Sequence, residues 1–257
     1  LQSAARSPPE EGELSEAVLD EAYETFLRIF DGENGGFGDA PRFPTPHNLI
    51  FLLRYAHRTG KEPAYTMVEK TLHAMRRGGI FDQVGWGFHR YSTDVEWFVP
   101  HFEKMLYDQA LLAMAYTEAY LATGREEFAR TARETIAYVL RDMTDPGGGF
   151  YSAEDADSEG EEGKFYTWTK AGILEVLGEE DGERFSRIFA VTEPGNYREQ
   201  PDGKRTGRNI LRLRRPLASW AHEFSISEED LAWFVENARQ KLFVARGERV
   251  RPAKDDK

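Results

Sequence analysis

Gly-Gly followed by an aromatic or aliphatic residue recurs in this chain at Gly35-Gly36-Phe37, Gly78-Gly79-Ile80 and Gly148-Gly149-Phe150, each time where a helical pattern runs out. Paired glycines interrupt a helix because they lose the most backbone freedom on ordering and bury nothing. The stretches between them must therefore be separate helical units. Helices that pair as hairpins, with the same motif in their connections, would gather those loops on one rim. Helix termination alone would also place glycines there. The repeated architecture favours the shared rim.

The helical units can be read from their apolar spacing. Val18, Ala22, Phe26 and Phe30 stand four apart until Asp31-Gly32 stops the run. Thr45 offers an N-cap with Pro46 at the first helical position, Leu49, Leu52, Leu53 and Ala56 mark a buried face, and Gly60 closes the segment. A third helix is expected over about 63–75. The run 102–123 is apolar on most sides, which predicts packing on both sides, and a more amphipathic helix follows over 126–143. Phe150-Tyr151-Ser152 and Lys164-Phe165-Tyr166-Thr167-Trp168 bracket an acidic turn and read as a β-hairpin. Short helices are expected after Thr169 and over 182–190, a loop with one strand over 195–213, and a last helix opened by Ser227 and Asp230. Residues 1–13 read as a flexible lead-in, 14–246 as one domain, and 247–257 as a tail with no apolar anchor of its own.

Composition narrows the function classes. The 257 residues suffice for a sizeable core. A net charge of −12 argues against a nucleic-acid or anionic-membrane surface, which needs concentrated Lys and Arg. The absence of Cys removes disulfides, thiol nucleophiles and thiolate metal sites, and fits a reducing, cytoplasmic setting. No run approaches the roughly 18 apolar residues of a membrane helix.

Gly78 to Gln109 is the stretch that looks most like a site. It mixes aromatic and ionisable residues with little aliphatic filler, the composition of a concave ligand surface. A buried polar network between helices would have the same composition. His89, Asp94 and His101 are candidates for proton transfer, since imidazole titrates near neutrality and a carboxylate can fix its tautomer. The two histidines lack helical metal-pair spacing, and no metal or other cofactor is expected. Asp108, inside the apolar run, must be paired or line a polar cavity. Arg42 could supply a rim cation or a structural ion pair. The acidic run from Glu154 to Gly163 imitates a calcium loop, but Tyr166 stands where the twelfth-position Glu belongs, so that reading is rejected. Within it, Glu154 and Asp155 lie nearest the rim, while Glu159, Glu161 and Glu162 read as solvated.

Together the strings GGFGDAPRFPTP, GGIFDQVGWGFHRYSTDVEWFVPHFEKMLYDQA and GGGFYSAEDADSEGEEGKFYTWT resemble thioredoxin-domain-containing proteins of the spermatogenesis-associated type. The likeness covers roughly residues 35 to 169 and weakens beyond. It implies a mainly α fold: a thioredoxin-like domain followed by an (α/α) toroid of the six-hairpin glycosidase and sugar-epimerase kind, here partial and with a small β-hairpin insertion. His89, Arg90, Asp94, Trp97, His101, Glu103, Lys104, Asp108, Glu154, Asp155 and Asp157 match the family's motif positions. Two departures stand out. No thioredoxin-like domain is present, and the chain stops where the family's toroid continues, so about the first half of the ring is expected, with helix faces left uncovered for self-association.

The resulting expectation is a carbohydrate-active or sugar-binding toroid. His89 or His101 would act as acid/base, Asp94 or Asp155 as a second carboxylate, and Arg42 and Arg90 would orient the substrate. Trp86 and Trp97 would stack on a sugar face, with Glu103, Asp108 and Glu154 lining the site. The alternative is a non-catalytic scaffold that binds a peptide or protein partner for an attached thioredoxin-like domain.

Overall fold

A computed structural model describes residues 15–198, 203 and 205–255. The expected lead-in over 1–13 lies outside the described residues. The chain is mainly α, as expected, with small sheets at the loop ends of the helices. Helix α1 (Ala17–Ile29) leads through the first Gly-rich loop into α2 (Pro46–Thr59) and α3 (Glu62–Arg77). After the 78–105 segment come α4 (Leu106–Thr123) and α5 (Glu126–Asp142). The second half holds α6 (Lys170–Leu177), α7 (Glu179–Ile188), α8 (Leu217–Phe224) and α9 (Glu228–Gly247).

Helix α2 packs on α3 and α4, and α4 on α5, around Leu49, Leu52, Leu53, Val68, Leu72, Leu112 and Tyr116. Each buried leucine contributes about 1.5–3 kcal/mol. A second core, with Ile173, Phe185, Ile188, Leu231 and Leu242, joins α6, α7 and α9. Thr169 caps α6 by accepting from the Gly172 amide at 3.1 Å, and Ser227 caps α9 by accepting from the Asp230 amide at 3.0 Å, both as the sequence predicts. Thr45 does not: it sits at φ 42° and its side chain makes no cap bond. Helix α8 is missed by the sequence reading, because eight residues after Pro216 are too few to show a period.

Helix α4 departs from the expectation of two-sided packing. Leu112, Ala115, Tyr116 and Ala119 are buried, whereas Tyr107, Met114 and Leu121 on the other side are half or more exposed. An apolar run reports what could be covered, not what is.

The small sheets also differ from the expected hairpin. Strands β1 (Tyr91–Ser92) and β2 (Pro100–His101) pair antiparallel. Strand β3 (Lys104–Met105) pairs with β4 (Ala153–Glu154), and β4 with β9 (Lys254–Asp255). Only β5 (Asp157–Ser158) and β6 (Glu161–Glu162) form a local hairpin. Strand β7 (Trp168–Thr169) pairs instead with β8 (Arg208–Asn209). The ends of the predicted hairpin thus find distant partners, which satisfy more backbone groups than one narrow ribbon would. The tail is tied in by strand β9 and by Arg251 on Asp142, polar anchors that a search for apolar residues overlooks.

The three Gly-Gly loops do meet. Arg42 bridges to Ser92, Lys104 pairs with Glu154, and His101 reaches Glu162. Gly78 and Gly79 let the middle segment close on itself: a Cβ would sit 2.3 Å from the Trp97 carbonyl oxygen at the first and 2.1 Å from that of Phe98 at the second. These glycines serve close backbone approach as well as helix termination.

Candidate functional site

The rim segment holds two polar clusters, one buried and one open. The buried cluster is centred on Asp82. Its carboxylate accepts from the Arg246 guanidinium at 2.9 and 2.8 Å, from Lys104 Nζ at 2.9 Å, and from the amides of Val84 and Gly85. Lys104 also donates to the Trp86 carbonyl at 2.8 Å and lies over the Tyr138 ring at 4.3 Å. Burial opposes ionisation of Asp82, yet Arg246 and Lys104 outweigh it and hold the carboxyl well below its usual range. Glu154 lies beside this cluster, accepting from the Tyr166 hydroxyl at 2.5 Å.

His89 belongs to the buried cluster. Its Nδ1 donates to the Phe102 carbonyl at 2.8 Å, and its ring meets Tyr166 edge-on. Burial, then the Lys104 charge, push its pKa down to about 3, so the imidazole is neutral at physiological pH. It is a structural donor in this setting, not a group that titrates near neutrality.

The open cluster is built on β2 and the start of α4. His101 is held at Nδ1 by Glu162 Oε1 at 2.8 Å, and its Nε2 lies 3.7 Å from Glu103 Oε2. The same Glu103 oxygen accepts from Arg90 at 2.7 Å. The Glu162 contact raises the His101 pKa against partial burial, and the bond to His101 lowers that of Glu162. The His101 ring stacks on Tyr91, which in turn contacts half-exposed Phe43, forming a three-ring ladder at centroid spacings of 5.1 and 4.8 Å. Asp108, in the first turn of α4, is 8% exposed and its Oδ2 has no partner. Burial raises its pKa to about 7, with Arg90 pulling it down and Glu103 pushing it up.

Of the residues expected from sequence, Arg90, His101, Glu103 and Asp108 come together. The others are placed elsewhere. Asp94 accepts from the amides of Glu96, Phe98 and Val99, locking the β1–β2 turn. Asp155 is exposed and accepts from the Asp157 amide. Arg42 is buried, donating to Asp31 and to the carbonyls of Gly35, Gly38 and Val95, so its charge is spent on tying loops together. Trp97 lies in the core beneath Arg42, and Trp86 lies under Arg239 and Arg141, arrangements in which neither indole is a free stacking face. Glu154 is buried with the Asp82 cluster.

Sequence reasoning missed Glu162, assigned to solvent with its neighbours. Period-two alternation was the available signal: in strand β6, Glu161 and Glu162 must point to opposite faces. Among the described residues no group of three or more His, Asp or Glu is arranged to hold a metal ion, and no helix is long and apolar enough to cross a membrane.

Sequence comparison places the chain among known proteins. It is 41% identical over 260 residues to human spermatogenesis-associated protein 20, covering 93% of this chain and 32% of that protein. The human, mouse and rat relatives all carry that name. The mouse protein is 40% identical over the same share, and an uncharacterised Caenorhabditis elegans protein is 35% identical over 95% of this chain and 36% of its own length. The chain therefore spans about a third of the length of the curated relatives it matches. No protein-family model matches.

The solved structures it resembles include cellobiose 2-epimerase from Bacillus thermoamylovorans, with TM-score 0.48 at 16% identity over 66% of this chain and 50% of that one. A sugar epimerase from a ruminal bacterium gives 0.47 at 14% identity over 93% and 76%. A family 76 glycoside hydrolase from a bovine Bacteroides thetaiotaomicron strain gives 0.46 at 12% identity over 88% and 42%. At these scores the likenesses carry no argument about the chemistry of the rim.

Proposed function

We propose that the open rim cluster is an acid/base site acting on a sugar-like substrate. The observation that carries this reading is His101, partly exposed and poised between Glu162 and Glu103 beside the Phe43–Tyr91 ring ladder. Glu162 fixes the imidazole through Nδ1, which leaves Nε2 as the atom that exchanges a proton with substrate. Arg90, anchored by Glu103, offers the remaining donors of its guanidinium to a hydroxyl or carbonyl oxygen. Asp108 supplies a carboxyl that keeps its proton near neutrality, the property of a general acid. The ladder gives a sugar ring a flat apolar face on which to stack.

The test is incubation of the protein with a panel of reducing mono- and disaccharides in D2O. Solvent deuterium should appear at a substrate carbon, or a new sugar should form, and His101→Ala and Asp108→Asn should abolish the change while both variants stay folded. An inert panel, together with no sugar-dependent rise in melting temperature, would sink the reading.

A second reading, a non-catalytic scaffold for a protein partner, is favoured by the uncovered side of α4, where Tyr107, Met114 and Leu121 form an apolar stripe. An inert sugar panel would leave this as the working model.

A further inference from the structure

Away from the rim, α3 and α5 form one wall of a cavity whose other wall is α8 and the start of α9. It has a volume of about 280 Å³, at the lower edge of the size of a site for a small organic molecule. Leu72, Phe128, Leu217 and Leu231 give it apolar walls. The charges around it do not balance. His73 is matched by Glu127 at 2.6 Å, and Arg76 by Glu134 at 2.9 Å. Arg77, half-buried at the same wall, has no hydrogen-bond or ion-pair partner among the described residues. Arg77 lines the cavity, and the carboxylate its charge feels is Glu127 of α5, on the same wall. Arg130 at the mouth is likewise unpaired, and Glu228 is the remaining carboxylate there.

A guanidinium partly withdrawn from water with no protein acceptor favours an incoming anion, and burial does lower its proton affinity. Its planar fork matches a carboxylate in two-pronged geometry. We infer that this cavity is a binding site for a small monocarboxylate with an aromatic or branched apolar body. The carboxylate would sit on Arg77 and the body against Phe128, Leu217 and Leu231. This site is separate from the rim cluster and does not depend on the acid/base reading.

The experiment is calorimetric and ligand-detected NMR titration of the chain with 2-naphthoate, with neutral 2-naphthol and inorganic phosphate as comparisons. Saturable naphthoate binding is expected, at least about tenfold tighter than naphthol, since a charged hydrogen-bonded pair is worth that much. Arg77→Gln should remove the preference for naphthoate. Ala232→Trp, which adds bulk at an exposed position on the cavity lining, should block both aromatic compounds without touching the core. Circular dichroism establishes that each variant is folded. Equal binding of naphthoate and naphthol, phosphate binding as tightly as naphthoate, insensitivity to both variants, or no saturable binding would each overturn the inference.

Discussion

Arg246, near the end of α9, grips Asp82 through both guanidinium nitrogens, at 2.9 and 2.8 Å, across 164 residues of chain. The contact locks the last helix onto the rim segment, and it passes over Gly85, where a Cβ would stand 1.9 Å from the Arg246 nitrogen. Removing one member leaves charge buried without compensation. Asp82→Ala should cost about 3–5 kcal/mol, read as a lower urea midpoint. Gly85→Ala should destabilise in the same direction by forcing the guanidinium away. A neutral outcome for both would mean the ion cluster holds nothing together.

His89 predicts the acid limb of the stability curve. Folded, it stays neutral until about pH 3, while the unfolded imidazole takes a proton near 6.5. A depressed folded pKa contributes stability that is present above the unfolded value and lost as pH falls. Stability should therefore decline between about pH 6.5 and 3, at up to about 1.4 kcal/mol per pH unit for this one proton. His89→Asn, whose amide can still donate to Phe102, should flatten that decline in urea titrations run at several pH values. An unchanged slope would show that other groups set it.

His101 and Glu162 predict a window. The His101 pKa is raised, so its contribution is complete below 6.5 and lost as pH rises through the folded value. The Glu162 pKa is lowered, so its contribution is present above 4.5 and lost as pH falls through the folded value. Their pairing should be strongest between those limits. NMR titration of the His101 ring should give a midpoint above 6.5 that drops in Glu162→Gln. A midpoint indifferent to that change would dissolve the pair.

Asp108 predicts a conflict between stability and function. Its folded pKa of about 7 lies above the ordinary 3.8, so its contribution is present below 3.8 and lost as pH rises through 7. Asp108→Asn should then stabilise the protein at pH 8 by about 1–3 kcal/mol and much less at pH 5, while lowering any activity of the rim. Equal effects at both pH values would show that the carboxyl is already ionised in the fold.

The sequence alone determined most of the helices, though not α8, and two of their caps. Apolar spacing set α1 to α5 within a few residues, and the Thr169 and Ser227 caps needed only their neighbours. These are local signals, fixed by backbone propensity and by which face meets a core. It also marked the segment that holds Arg90, His101, Glu103 and Asp108, but His89, Asp94 and Trp97 share that segment and are placed elsewhere, so nearness in sequence did not pick out the four. Tertiary structure alone decided what each ionisable group became. His89 and His101 have the same chemistry and lie twelve residues apart, yet one is sealed against Lys104 and Phe102 while the other faces Glu162 at the surface. Desolvation and long-range charge set that difference, and neither is written in the spacing of residues along the chain. The strand partners of Ala153–Glu154 and the Arg246 grip on Asp82 are decided the same way, by segments that meet only once the helices have packed.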